Sequence, residues 1–349
     1  MPDSLPFDAE TTAMLGESPA FLDLLEHASR VAAVNKPVLV IGERGTGKEL
    51  IAARLHYLSP RWEAPLVKLN CATLTEALLE TELFGHEAGA FTGATRRHVG
   101  RFEQADGGTL FLDELGTVSM RVQEKILRAV EYGQFERVGG NQTLTVNVRI
   151  VGATNWDLPA AVRAGQFRAD LLDRLAFDVL TIPPLRVRSG DIMQLAEHFA
   201  VNISGELGRD LFAGFTESAR AALVDYQWPG NVRELKNVVE RSVHRAAAGE
   251  PVDVIVFDPF ASSFRPPVKI EPEDPTVAAP EKPIHLPCDL RAETTRLEVD
   301  LIERALAEAR YNQTEAAPLL GLSYHQLRAL LRKHDMVKVR DKPDGSPAS

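Results

Sequence analysis

Short apolar runs alternate with longer amphipathic stretches from the start of the chain to about residue 185. Helical periodicity marks the stretches between the runs, for example Glu49–Leu58 and Val122–Tyr132. This alternation predicts an α/β domain with a mostly parallel sheet and helices on both faces. The five runs that we interpret as strands are Val38–Ile41, Leu66–Leu69, Thr109–Leu112, Val148–Val151 and Val179–Ile182.

The periodicity becomes entirely helical after Pro183 and Pro184 and stays so to about Ala248, which indicates a small helical subdomain. A proline-rich stretch of weak periodicity follows, and helical patterning resumes at about Leu290. We therefore expect five segments along the chain. They are an α/β subdomain (1–185), a helical subdomain (186–258), a linker (259–289), a C-terminal helical module (290–340) and a disordered tail (341–349).

The composition is that of an ordinary globular protein, with 349 residues of which 44% are hydrophobic and 25% charged. The formal net charge of -10 means that any contact with nucleic acid must come from a local basic surface. Cys71 and Cys288 match no metal or redox spacing and are typical of reduced thiols. No signal peptide and no bilayer-spanning run is present, so we expect a cytoplasmic protein that is not a membrane protein.

A glycine-rich loop with the sequence GERGTGKE follows the first predicted strand. Glycines let backbone N–H groups wrap phosphate oxygens without clashes, and the lysine at the following helix start adds charge for the terminal phosphates. The loop predicts ATP binding, and a glycine-rich turn without a ligand is the alternative. Its residues are Gly42, Glu43, Arg44, Gly45, Thr46, Gly47, Lys48 and Glu49.

A second motif, GGTLFLDE, is an apolar strand that ends in Asp113 and Glu114. The carboxylate of Asp113 can hold Mg²⁺, and Glu114 can polarise the attacking water. A solvated acidic turn is the alternative, and the phosphate loop at this separation disfavours it. Glu49 stands where the general phosphate-loop pattern has Ser or Thr, so no hydroxyl is available there to hold magnesium.

The C-terminal module carries two helix starts, a capping-box-like one at Asn312–Glu315 and another at Ser323–Gln326. Gly321 stands where a helix C-terminal glycine belongs, so the pattern predicts a helix-turn-helix. An inward leucine stripe leaves a polar face that can reach a DNA major groove, and a small protein–protein module is the alternative. The candidate DNA contacts are Tyr324, His325, Gln326, Arg328 and Arg332.

A stretch of small residues around one aromatic side chain separates the two nucleotide motifs. Such a stretch is expected to be mobile, and an exposed aromatic suits a contact with a protein partner. An ordinary surface loop with a buried Phe anchor is the alternative. The stretch consists of Gly89, Ala90, Phe91, Thr92, Gly93 and Ala94.

GAFTGA, inside ELFGHEAGAFTGA and between the two nucleotide motifs, resembles the bacterial activators of sigma-54 RNA polymerase, a family of AAA+ ATPases. The segment NQTEAAPLLGLSYHQLRALLRKH resembles the Fis-type DNA-binding end of the same activators. The resemblance runs from Leu15 to about Met336. It implies a P-loop ATPase that binds enhancer DNA, contacts sigma-54 through GAFTGA and remodels the closed promoter complex into an open one.

The resemblance also implies roles for residues outside the two nucleotide motifs. Thr154 and Asn155, at the end of RIVGATN, resemble the sensor that reads the terminal phosphate. Arg233, in WPGNVRELKNVVER, matches the second sensor. Asn70 corresponds to the switch asparagine that restrains the catalytic glutamate, and a plain strand-end cap is its alternative.

Arg168 and Arg174, in FRADLLDRL, match the positions of arginine fingers that reach the neighbouring subunit's site. A homo-oligomer, a hexamer in this family, is therefore expected. Salt bridges within the chain to Asp170 and Asp173 are the alternative.

Only about fifteen residues precede the resemblance, so we expect control in trans by a separate inhibitor protein of a membrane-stress type. Two other functions are considered. A general AAA+ remodelling enzyme, such as a helicase loader or an unfoldase, is disfavoured by GAFTGA and by the DNA-binding module. A DNA-binding repressor that uses ATP only as a signal is disfavoured by the Asp113–Glu114 pair.

Overall fold

The computed structural model describes residues 14–261, 264, 289–309 and 312–334. The chain forms two compact units, residues 1–263 and 264–349. A five-stranded sheet lies in the first unit, and its strands are β1 (Val38–Ile41), β2 (Leu66–Asn70), β3 (Thr109–Asp113), β6 (Arg149–Thr154) and β7 (Asp178–Thr181). Their order across the sheet is β2-β3-β6-β1-β7, and all the pairings are parallel. The predicted parallel sheet is thus confirmed.

Helices cover both faces of this sheet, as the alternating pattern predicts. They are α1 (Pro19–Ala32), α2 (Lys48–Tyr57), α3 (Glu76–Phe84), α4 (Arg101–Gln104), α5 (Met120–Tyr132), α6 (Leu158–Arg163) and α7 (Ala169–Leu175). Successive strand residues enter opposite cores: Val38 and Val40 pack with residues of α1 and α2. Leu39 packs instead with residues of α3, α5 and α7, because side chains of a strand alternate between the faces.

A short antiparallel hairpin, β4 (Gln134–Glu136) and β5 (Thr143–Thr145), stands apart from the main sheet. The sequence pattern does not predict this hairpin, because each strand has three residues and only Phe135 is buried. The strand predicted at Val148–Val151 begins at Arg149 and continues to Thr154, which is still paired with Ile41 of β1.

The helical subdomain consists of α8 (Ser189–Glu206), α9 (Glu217–Asp225) and α10 (Asn231–Arg245). Its core is built around Trp228, which is fully buried and donates its indole N–H to the carbonyl of Leu223 at 2.9 Å. The aromatic ring fills the space between the helices, and its one polar atom is satisfied.

The second unit contains α11 (Leu290–Glu308), α12 (Gln313–Leu319) and α13 (Tyr324–Lys333). Ser323 and Gln326 form the predicted capping box at the start of α13. Asn312 caps α12 through the N–H of Thr314, but its own N–H donates to Ala309. The N–H of Asn312 is therefore already engaged and is not left for the Glu315 side chain, which would complete a capping box. The helices bury a small core of their own that includes Ile302, Leu327 and Leu331.

Parts of the predicted segments fall outside the described residues. The linker over 259–289 is described only at 259–261, 264 and 289, and the tail over 341–349 is not described. Cys288 also lies outside. Burial raises the pKa of the Cys71 thiol to about 12, which keeps that group protonated. Within the described part of the chain, no helix is both long and apolar enough to cross a membrane.

Candidate functional site

The phosphate loop joins β1 to α2 at the carboxyl edge of the sheet. Gly45 and Gly47 have φ angles of +78° and +93°, a conformation that side chains disfavour, so glycine is required at both positions. Lys48 is buried at the start of α2, and its Nζ donates to the carbonyl of Gly42 at 3.1 Å. Thr46 Oγ1 donates to the carbonyl of Glu43 at 2.8 Å. The loop is therefore closed around its lysine.

A cleft of about 780 Å³ lies between the sheet edge and the helical subdomain. The apolar side chains of Phe21, Trp156 and Phe199 share it with polar groups. The predicted site residues that line it are Arg44, Gly45, Thr46, Gly47, Lys48, Glu49, Asn70, Asp113, Glu114 and Arg233. The cleft thus unites the phosphate loop, the acidic strand end and the second sensor, and it has the size of a small-molecule site.

Asn70 and Asp113 are register partners at the ends of β2 and β3. Asn70 Nδ2 donates to Asp113 Oδ2 at 3.3 Å, and Asn70 Oδ1 accepts from the N–H of Ala72 at 2.9 Å. The asparagine is therefore both the strand-end cap and a neighbour of the acidic pair. Its contact is with Asp113, so the restraint of Glu114 by Asn70 stays a prediction.

Glu114 has a left-handed backbone, with φ of +53°. Its N–H donates to Asp113 Oδ1 at 3.0 Å, and its carbonyl accepts from Thr117 Oγ1 at 2.8 Å. A non-glycine residue in this conformation is held there by its surroundings. Both carboxylates belong to residues that line the cleft.

Glu49 points toward β2, where its carboxylate pairs with Lys68 at 2.8 Å. Both side chains are exposed. Glu43 does not line the cleft, and its carboxylate contacts Arg186 and Asn231. These two glutamates lie on the loop, but their side chains have partners elsewhere, which the loop sequence alone does not reveal.

The predicted first sensor has one buried and one exposed residue. Thr154 is fully buried, its Oγ1 accepts from the N–H of Trp156 at 3.1 Å, and its carbonyl accepts from Gly42 at 3.2 Å. Asn155 is exposed. Neither is among the residues that line the cleft, so their contact with a terminal phosphate stays a prediction.

Arg168 and Arg174 lie at the two ends of α7, away from the cleft of their own chain. Arg168 pairs with Asp170 at 2.7 Å, as the salt-bridge alternative predicts. Arg174 pairs with Glu131 at 2.5 Å and not with Asp173. The two alternatives are compatible, because partly exposed side chains can exchange partners when a second subunit is present.

The GAFTGA loop is closed by its own backbone. The N–H of Gly89 donates to Ala94 at 2.8 Å, and that of Ala94 donates to Phe91 at 3.0 Å. Phe91 is 46% exposed and places an edge against His86, with 5.0 Å between ring centroids. The aromatic ring is therefore not a buried anchor, which disfavours the ordinary surface loop.

A polar cluster that sequence reasoning missed supports the base of this loop. The buried guanidinium of Arg137 donates to Glu103 at 2.8 Å and to Glu87 at 2.7 Å. Gly139 lies so close to Ala90 that an added Cβ would be 2.5 Å from the Ala90 Cβ. The Gly139–Gly140 pair is the sequence signal that could have indicated this close approach.

The predicted DNA-contact residues lie on the polar side of α13 and are exposed. Leu327 and Leu331 are buried on the opposite side, and Leu330 is partly buried. Gln326 is engaged in the capping box, since its Oε1 accepts from the N–H of Ser323 at 2.8 Å. The exposed set is Tyr324, His325, Gln326, Arg328 and Arg332.

Three family models match consecutive parts of the chain. They are the sigma-54 interaction domain over residues 14–181, the AAA+ ATPase lid domain over 186–265, and the bacterial regulatory protein, Fis family, over 295–334. The three matches correspond to the sheet, the helical subdomain and the helix-turn-helix, respectively.

The chain is 60% identical to the Psp operon transcriptional activator of Escherichia coli (strain K12), over 93% of this chain and 98% of that protein. It is 47% identical to the Nif-specific regulatory protein of Azotobacter vinelandii, but spans only 57% of that protein's length. NtrX from Brucella abortus in complex with ATP is similar in structure, with a TM-score of 0.64 and 32% identity over 93% of this chain and 69% of that chain. The chain therefore belongs to the sigma-54-dependent transcriptional activators, which are AAA+ ATPases with a Fis-type DNA-binding module.

Proposed function

We propose that the cleft hydrolyses ATP with Mg²⁺ and that GAFTGA transmits the work to sigma-54. The placement of Lys48, Asp113 and Glu114 around one cleft carries this proposal. Asp113 fits a hard cation, because it is a half-buried residue that lines the cleft and its carboxylate offers oxygen ligands. Mg²⁺, when bound, supplies positive charge to the terminal phosphates.

Each of these side chains has its own task in this proposal. Lys48 holds the terminal phosphates, Asp113 holds the metal, and Glu114 accepts a proton from the attacking water. The proposed role of Thr154, Asn155 and Arg233 is to detect the terminal phosphates of the nucleotide. The Trp156 and Phe21 side chains help to exclude water from the cleft.

The assembled form is proposed to be a hexamer in which Arg168 and Arg174 complete the neighbouring site. Their position away from the cleft of their own chain supports this role. The Fis-type module binds double-stranded enhancer DNA, and the GAFTGA loop contacts sigma-54 RNA polymerase. Open-complex formation would then require the nucleotide cycle.

ATP hydrolysis measured with and without the sigma-54 promoter complex, followed by open-complex formation on the same preparation, tests this function. We expect hydrolysis in both cases and open complexes only with hydrolysable ATP. Hydrolysis without open complexes on any sigma-54 promoter would favour a general remodelling enzyme. DNA binding that represses transcription, without turnover of ATP, would favour a repressor.

The target promoter is proposed to be a phage shock (psp) operon, which is what the 60% identical relative is named for. Control is proposed to come from a separate inhibitor protein of the phage shock membrane-stress type, acting in the cytoplasm on the ATPase. Genome-wide mapping of binding sites tests the promoter. The isolated protein should hydrolyse ATP constitutively until the inhibitor is added.

A further inference from the structure

A charged contact joins the phosphate loop to the start of the helical subdomain. Glu43 accepts two hydrogen bonds from the guanidinium of Arg186, at 2.8 and 2.6 Å. Its Oε2 also accepts a hydrogen bond from Asn231 Nδ2 at 3.0 Å. The Arg186 and then the Asn231 hydrogen bond lower the pKa of Glu43 from 4.5 to about 2, so this carboxylate is ionised at neutral pH.

Asn231 is fully buried and links three segments of the chain. Its Nδ2 donates to Glu43 and to the carbonyl of Arg44, while its Oδ1 accepts from the N–H of Leu185 at 2.8 Å. Asn231 and Trp228 both have left-handed backbones, with φ of +52° and +51°. Such strain persists only where surrounding contacts over-determine it, so this turn is held in one position.

The same turn lies directly against the phosphate loop. A Cβ on Gly45 would be 2.2 Å from the carbonyl oxygen of Gly230, and the N–H of Arg233 donates to Gly45 at 3.3 Å. Arg233 also lines the cleft. A shift of the turn relative to the loop would therefore move Arg233 relative to the nucleotide.

We propose that Glu43, Arg186 and Asn231 form a joint that fixes the helical subdomain on the phosphate loop and so positions Arg233. Glu43 is then a positioning residue and not a nucleotide ligand. Its carboxylate is bound by Arg186 and Asn231, and Glu43 is not among the residues that line the cleft. The inference rests on the proposed nucleotide site. It predicts that ATP affinity depends on the position of the helical subdomain relative to the phosphate loop.

Equilibrium ATP binding and steady-state hydrolysis by the full-length chain test this joint. Arg186→Gln removes the charge and the two-bond contact, so it should weaken ATP affinity by about five- to fiftyfold, within the usual range for coupled sites. The KM for ATP should rise by a similar factor, with a smaller effect on kcat. Arg186→Lys keeps the charge and should give an intermediate affinity.

Arg220→Gln is the matched control. Arg220 pairs with Glu197 at 3.0 Å within the helical subdomain, and its side chain is 40% exposed against 41% for Arg186. Its loss should leave ATP affinity unchanged. Thermal melting of each variant detects a folding defect, and Glu43→Gln, which keeps the side-chain size, gives the same test if Arg186→Gln does not fold.

The decisive comparison combines Arg186→Gln with Arg233→Ala. If the joint acts through Arg233, the double variant should bind ATP no more weakly than Arg233→Ala alone. The proposal would be overturned if the two substitutions weakened ATP binding by the product of their separate factors. It would also be overturned if Arg186→Gln bound ATP as tightly as Arg220→Gln does. ATP binding retained by Lys48→Ala would instead refute the nucleotide site itself, whatever the Arg186 variants show.

Discussion

Asp113 and Glu114 are adjacent acidic residues that differ in backbone conformation. Asp113 ends β3 in extended conformation, whereas Glu114 has a φ of +53°. Strained residues of this kind occur at active sites because the strain fixes where a side chain points. The two acidic residues therefore differ in backbone conformation although they line the same cleft, which is compatible with a different task for each.

Lys48→Ala should abolish ATP binding, because the loop loses the charge that faces the terminal phosphates. Glu114→Gln should bind ATP normally but lose turnover by about a hundredfold or more, since water activation is lost. Equilibrium binding and phosphate release measure the two effects. Wild-type hydrolysis by Glu114→Gln would contradict the assignment.

Glu43 gives a prediction about pH and stability. Its pKa is about 2 in the folded chain against 4.5 ordinarily, so its ionised form stabilises the fold above about pH 4.5. That contribution is lost as the pH falls toward 2. The stability difference between wild type and Glu43→Gln should therefore shrink on acidification. Chemical denaturation between about pH 3 and pH 7 measures it, and a constant difference would refute the prediction.

At the scale of elements, the GAFTGA loop presents Phe91 and Thr92 on a backbone that closes on itself. Gly89 and Gly93 have φ angles of +84° and +104°, with no atom within 4 Å of an added Cβ. The glycines are thus required by backbone conformation and not by crowding. A loop that is ordered at its base and open at its tip suits a contact made in only one nucleotide state.

Thr92→Ala should uncouple hydrolysis from remodelling. The side chain is exposed, so nucleotide binding and hydrolysis should stay within a few-fold of wild type, while sigma-54 binding and open complexes are lost. Thr95→Ala, also exposed and just outside the motif, is the control and should activate normally. Binding to sigma-54 with a transition-state analogue, measured beside the ATPase rate, separates the steps. Retained open complexes would defeat the role of this loop.

Short apolar runs made the five main strands predictable, because the central parallel strands β1, β3 and β6 are buried on both faces and show little polar alternation. The β4–β5 hairpin has no such run, so the support that it gives GAFTGA through Arg137 was not foreseen. Side-chain direction was harder still. Glu43 lies within the phosphate loop, but Arg186 and Asn231, distant in sequence, determine where it points.

At the scale of the whole molecule, Arg168→Ala should hydrolyse ATP about a thousandfold more slowly, because arginine fingers stabilise charge in the transition state. Mixing it with Lys48→Ala should restore part of the activity. The phosphate loop of an Arg168→Ala subunit can then be completed by Arg168 of a neighbouring Lys48→Ala subunit. Phosphate release against mixing ratio measures this. Normal turnover by an isolated monomer would exclude completion of the site in trans.

Removal of residues from about Leu290 onward should abolish specific DNA binding and leave ATPase activity intact. The core around Ile302 and Leu327 is formed within the second unit, whereas the residues that line the cleft belong to the first. Activation should then need more protein, because DNA no longer raises its local concentration. Footprinting and transcription assays at several protein concentrations test this, and an unchanged footprint would refute the DNA role of Arg328 and Arg332.

The strand order has a consequence for how the chain is made. Val38 of β1 pairs with Val151 of β6 and with Asp178 of β7, so β1 has no strand neighbour until β6 has been synthesised and lacks its second neighbour until β7 follows. Pairings so distant in sequence are slow to form, and domains emerge from the ribosome N-terminus first. The strand that carries the phosphate loop must therefore wait, apolar and unpaired, while the rest of the sheet is translated. The chain acquires its nucleotide site late in synthesis, and β1 is an apolar segment that needs protection from aggregation until then.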